Sequence, residues 1–123
     1  MGMDRGSVPA RRGAKVIRED KMAQLVVMYK TPRDPAAFDK HYLEKHVPLA
    51  KRIPGVKKYE ISQGPVMTPG GPAPYHLIAT LQFDDMAAIH HAFASAEGQA
   101  AVADVQTFAT GGVDIVMFDS RQV

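Results

Sequence analysis

The stretch His46-Val47-Pro48-Leu49-Ala50-Lys51-Arg52-Ile53-Pro54-Gly55-Val56-Lys57-Lys58-Tyr59 carries three structural signals in a row. It holds the second half of an amphipathic helix, a hard stop at Pro54-Gly55 and the start of a strand. Upstream, Asp34-Pro35 is a helix start, with Asp as N-cap and Pro at the first helical position. From there Phe38, Tyr42, His46, Leu49 and Ile53 recur at steps of four, four, three and four, which makes one buried helical face. Asp39, Lys40, Glu44, Lys45, Lys51 and Arg52 lie mostly off that stripe. Pro48 deletes a backbone donor and crowds the carbonyl four residues back, so a kink is expected just after His46. A helix built only for a core would carry leucine at position 46. The imidazole is the first candidate for function.

Outward from this helix the chain reads as strands and one more helical region. Ala23–Lys30 is short, apolar and β-branched, the pattern of a strand buried on both faces. Val56–Gln63 is a second strand with Tyr59 and Ile61 on one side. Gly64–Pro74 is a loop rich in turn residues. In Tyr75–Phe83, Tyr75, Leu77, Ala79, Leu81 and Phe83 form an apolar face, and His76, Ile78, Thr80 and Gln82 a mixed one. Asp84-Asp85 caps a helix carrying Met86, Ile89, Ala92, Phe93 and Ala96. A break at Ser95–Gly98 precedes a second helical run, which Gly111-Gly112 ends. Val113–Asp119 is the last strand. The order strand, helix, strand, strand, helix, strand predicts an α+β, ferredoxin-like βαββαβ fold: an antiparallel sheet with both helices on one face. The other face would leave an apolar patch in water, so a two-fold homodimer is expected, its two sheets closing into an α+β barrel.

Composition bounds the function. At 123 residues the chain is one domain, with 46% hydrophobic and 23% charged residues. It has no cysteine, which removes disulfides and thiolate chemistry and suits a cytoplasmic location. Residues 1–21 carry Arg5, Arg11, Arg12, Lys15, Arg18 and Lys21 against Asp4, Glu19 and Asp20, a net of +3; the whole chain is +2, so residues 22–123 come to −1. The basic character therefore belongs to an expected disordered extension over 1–21, and the domain over 22–123 is not expected to bind nucleic acid. The run Ile61–Phe83 lacks charged residues, but its prolines and glycines exclude a spanning helix, so no membrane partner is expected.

Tyr29-Lys30-Thr31-Pro32, Phe38, His46-x-Pro48, Pro54-Gly55, Tyr59 and the later Phe83…Phe93-x-Ser95…Glu97-Gly98-Gln99…Asp104…Phe108 resemble the EthD family, named for ethyl tert-butyl ether degradation. The resemblance covers about residues 22–119 and rests on the order and spacing of these residues together. It implies a dimeric α+β barrel of small-molecule catabolism, acting on a small apolar ether, lactone or aromatic metabolite held between sheet and helices. It leaves the reaction open, since fold analogy alone does not assign chemistry.

Within that frame His46 and Tyr29 are the expected catalytic residues. An imidazole can take or give a proton near neutrality, and a phenol at the end of the first strand can hydrogen-bond a substrate oxygen. His76, Thr80 and Gln82, taken to share one strand face, are expected to bind substrate, with Tyr42 and Tyr59 lining the cavity. No metal is expected: His90 and His91 are neighbours on a helix and point about 100° apart, and His41 is taken as remote. No cofactor is expected, for no phosphate loop or nucleophile elbow is present. Three readings follow: a cofactor-independent acid/base enzyme, a non-catalytic binding or accessory protein for the same metabolite, and a haem-linked or oxygen-using oxidoreductase.

Overall fold

A computed structural model of the protein describes residues 21–123. Residues 1–20 of the expected extension lie outside the described residues, while Lys21 already belongs to the first strand. In chain order the elements are β1 (Lys21–Lys30), α1 (Pro35–His41), a π turn (Tyr42–His46), α2 (Val47–Ala50), β2 (Lys58–Ile61), β3 (Met67–Thr68), β4 (Gly71–Pro72), β5 (Tyr75–Phe83), α3 (Met86–Ala94), α4 (Ala96–Phe108) and β6 (Val113–Arg121). The main sheet runs β2-β5-β1-β6, every pair antiparallel. This is the ferredoxin-like arrangement. The small pair β3-β4 sits inside the segment read as a plain loop.

Among the described residues, one sheet face is covered by helices and the other is not. Ala23, Leu25, Val27 and Tyr29 of β1 and Leu77, Ala79, Leu81 and Phe83 of β5 pack in one core with Phe38, Tyr42, Ile53, Ile89, Ala92 and Phe108 from the helical layer. The alternate residues of β1 are half-buried, so this strand is not buried on both faces: among the described residues no second helical layer covers it. The cross-strand register gathers Gln24, Val26, Met28, Ile78, Thr80, Gln82, Val116 and Phe118 on the open face. Val116 and Phe118 each remain 45% exposed.

The helix caps match the sequence. Asp34 accepts from the Ala37 N–H, Asp85 from the Ala88 N–H and Ser95 from the Gly98 N–H. The irregularity at Pro48 falls earlier than expected. The Pro48 ring crowds the carbonyl of Glu44, and the turn containing Glu44 widens: the Val47 N–H bonds to the Tyr42 carbonyl, five residues back. The disturbance precedes His46 instead of following it. The extra residue also advances the buried stripe by one, so Ala50 is buried and Leu49 is only half-buried.

A second irregularity corrects β5. Tyr29 pairs with Leu77 but Lys30 with Tyr75, a bulge that leaves His76 without a partner in β1. Tyr75 moves to the side of Asp114, to whose carboxylate its hydroxyl donates at 2.8 Å. His76 turns towards α1, with Nε2 2.7 Å from Asp39 Oδ1 and its ring against Phe38. The expected common face of His76, Thr80 and Gln82 therefore does not exist.

Candidate functional site

A cavity of about 270 Å³ lies between the covered sheet face and the helices. Leu25, Val27, Ala79, Leu81, Ile53 and Val105 supply apolar walls, and Tyr29, Tyr42, Tyr59 and His46 supply the titratable groups. Polar groups few and convergent in an apolar hollow are the usual make-up of a small-molecule site.

His46 enters this cavity from the π turn and is 6% exposed. Its Nδ1 lies 3.0 Å from Oδ2 of Asp104 on α4, while Tyr42 and Phe108 pack on its ring. Burial opposes charge on Asp104, but hydrogen bonds from His41 and His46 outweigh it and hold this carboxyl below the usual carboxylate range. An ionised carboxylate only accepts, so His46 Nδ1 carries the proton and donates. The lone pair of the neutral ring is then on Nε2, which has no hydrogen-bond partner among the described residues. Burial lowers the His46 pKa below its ordinary value; the bond to Asp104 and its charge offset this in part, and His41 adds to the lowering. The ring is a neutral base near pH 7.

A histidine kept neutral by burial binds its proton more readily in the unfolded chain. Stability therefore falls as the pH drops below about 6.5, the ordinary histidine value. The thermal midpoint should decline between pH 7 and pH 5, and less steeply in His46→Asn. Parallel profiles for the two proteins would remove His46 as the cause.

The tyrosines surround the base. Tyr42 and Tyr59 share a hydroxyl–hydroxyl bond of 2.6 Å. Burial pushes the Tyr29, Tyr42 and Tyr59 phenols upward, so all three remain neutral donors at neutral pH. Tyr29 is 1% exposed and lines the cavity, yet its hydroxyl has no hydrogen-bond partner among the described residues. Buried polar groups are nearly always paired. Its partner is to be sought in the cavity.

Of the expected site residues, His46, Tyr29, Tyr42 and Tyr59 come together here. Thr80 and Gln82 lie on the open sheet face, and His76 pairs with Asp39 at another place. Sequence reasoning missed Asp104 as a partner of His46, and it placed His41 wrongly. His41 Nε2 is 2.9 Å from Asp104 Oδ1, so one carboxylate bridges both imidazoles. Five steps of a regular α-helix would set residues 41 and 46 about 140° apart; the widened π turn brings the fifth residue back over the first. Among the described residues, no group of three or more His, Asp or Glu side chains is placed to hold a metal ion. No described helix is long and apolar enough to cross a membrane.

A family model described as an EthD domain matches residues 30–112. An uncharacterized 11.0 kDa protein of the thcB-thcC intergenic region of Rhodococcus erythropolis is 44% identical over 102 residues, which cover 83% of this chain and 98% of that protein. Among solved structures, an EthD family protein from Bacillus halodurans superposes with a TM-score of 0.73 at 30% identity, covering 79% of this chain and 96% of its own. A dimeric protein of unknown function and ferredoxin-like fold from Bacteroides fragilis gives 0.57 at 19% identity, over 79% and 94% of the two chains. SnoaB, a cofactor-independent oxygenase from Streptomyces nogalater, gives 0.56 at 15% identity, over 85% and 96%. The last two likenesses are of fold.

Proposed function

This chain belongs to the EthD family, and from that premise we propose that it is a cofactor-independent enzyme of small-molecule metabolism, in which His46 Nε2 takes a proton from a small, uncharged, mostly apolar substrate. One observation carries the reading: a buried imidazole that lines an apolar cavity, braced by a carboxylate on Nδ1 and with no hydrogen-bond partner on Nε2 among the described residues. A neutral base in an apolar site is suited to an acidic C–H beside a carbonyl, or to an enol or phenol O–H. Neutral tyrosine hydroxyls are the matching donors for the oxyanion that forms. The volume, near twice the roughly 150 Å³ that accommodates benzene, suits a molecule of one or two rings.

The test needs no knowledge of the full reaction. The protein is incubated in D2O with a panel of small carbon acids (cyclic ketones, lactones, hydroxyarenes), and deuterium uptake at the acidic position is followed by NMR. Enzyme-dependent uptake by at least one of them is expected. Saturable binding of panel members with no uptake by any would replace the enzyme with a binding protein.

The protein acts as a homodimer, joined through the open sheet face. The half-buried Val26 and Met28 and the exposed Val116 and Phe118 on one face support this, as does the dimeric state of the Bacteroides fragilis protein. Burying a phenylalanine is worth about 1.5–3 kcal/mol, and two-fold symmetry doubles each substitution. Phe118→Asp should weaken the dimer by roughly 3 kcal/mol or more, above a hundredfold in Kd. Light scattering at micromolar concentration should then read a monomer for the variant and a dimer for the parent; a monomeric parent would end the barrel reading.

A further inference from the structure

The bridging of two imidazoles by Asp104 is not needed to make His46 a base; one of the two would suffice. The two differ in exposure. The His46 side chain is 7% exposed, Asp104 15% and His41 32%, a chain of groups running from the cavity to solvent. His41 holds Oδ1 at 2.9 Å, and its Nε2 is also 3.1 Å from Oδ2, the oxygen that takes the His46 proton donor at 3.0 Å. Thr107, one helical turn beyond Asp104, bonds to the Asp104 carbonyl at 2.7 Å, and its hydroxyl is 3.4 Å from Oδ1. Phe108 packs on both imidazole rings. Two irregular features make this arrangement: the π turn that aligns residues 41 and 46, and the approach of α4 that sets Asp104 between them.

We propose that His41 is a positioning residue for His46: from the solvent side of the π turn it fixes the Asp104 carboxylate, so that Nδ1 of His46 keeps its proton and Nε2 stays the acceptor. This rests on the reading of His46 as the base of the cavity, but its consequences are visible in the free protein. Because a single carboxylate serves both rings, protonating either histidine changes what the other feels, and the coupling is reciprocal. The groups facing the pair are Asp104, the Thr107 hydroxyl and the neutral Tyr42 phenol, with Tyr29 and Tyr59 further along the cavity wall.

Imidazole 15N NMR of the full chain, titrated from pH 8 to pH 5, reads tautomer and protonation of each histidine separately. In the parent protein His46 should be in the Nδ1–H form at pH 8, and its titration should depart from a single-site curve in step with that of His41. In His41→Leu the tautomer should become mixed and the His46 curve should become single-step. His41→Gln, which can donate to Asp104 but cannot titrate, should restore the Nδ1–H form while leaving a single-step curve. A His46 tautomer and titration curve identical in the parent and in His41→Leu would overturn the proposal. If that variant does not fold, independent single-site titrations of the two histidines in the parent would overturn it equally. Neither outcome depends on deuterium uptake, so a failure here is distinct from a failure of the enzymatic reading.

Discussion

Replacing His46 with asparagine should lower deuterium uptake by about 10²–10⁴-fold, the usual worth of a positioned general base, which is about 3–5.5 kcal/mol of barrier. Asparagine is close in size and polar, and its side chain can still meet Asp104, so the fold and the affinity for panel molecules should be kept. Rate and binding separate in this variant because the interaction removed exists only once the proton moves. Asp104→Asn should give a smaller loss by another route. Burial lowers the His46 pKa, and the bond and charge of Asp104 are what partly offset it. Without them His46 is a weaker base, and a single amide oxygen must serve two histidines. Uptake unaffected by His46→Asn would transfer the proton chemistry to another group.

Gly98→Ala should destabilise the protein by roughly 3 kcal/mol, the upper range of overpacking a tight site. The sign is the point of interest. Within an ordinary exposed helix the same change would stabilise by up to about 1 kcal/mol. Here α3 and α4 meet at Ser95, whose hydroxyl accepts from the Gly98 N–H and donates to the Ala92 carbonyl. A methyl carbon on Gly98 would stand 2.1 Å from the Ala92 carbonyl oxygen and 2.9 Å from the Phe93 Cα. Both are backbone atoms and cannot swing aside, so the two helices must part. Phe93, Gln99, Ala101 and Val102 all line the cavity, so the same variant should also weaken ligand binding. Thermal and urea unfolding read the effect; a variant as stable as the parent would show that the corner is looser than the geometry requires.

Much of this architecture was legible in the residues. Asp34-Pro35, Asp85 and Ser95 mark helix starts by local chemistry alone, and the alternation of β5 marks its buried face. The errors share a cause. A π turn and a β-bulge each insert one residue into a regular period, and periodicity cannot register an insertion that only three-dimensional crowding demands. The π turn is why His41 looked remote and why Leu49 looked buried; the bulge is why His76 was grouped with Thr80 and Gln82. Asp104 stood in the family pattern at a recognisable place. Its role depends on where α4 crosses the π turn, 58 residues from His46 in sequence. Pro48 was the available signal, since a proline four residues beyond Glu44 had to distort that turn in one direction or the other.

On the proposed function, the free nitrogen of His46 meets the acidic atom of a bound small molecule, and a crystal structure with a panel molecule that exchanges its proton would show this contact. The acidic carbon, or the oxygen bearing the proton, should lie within about 3.5 Å of His46 Nε2, with the adjoining carbonyl oxygen at hydrogen-bond distance from the Tyr29 hydroxyl. A ligand seated elsewhere, or one whose acidic atom faces away while Nε2 is bonded to the protein, would contradict it.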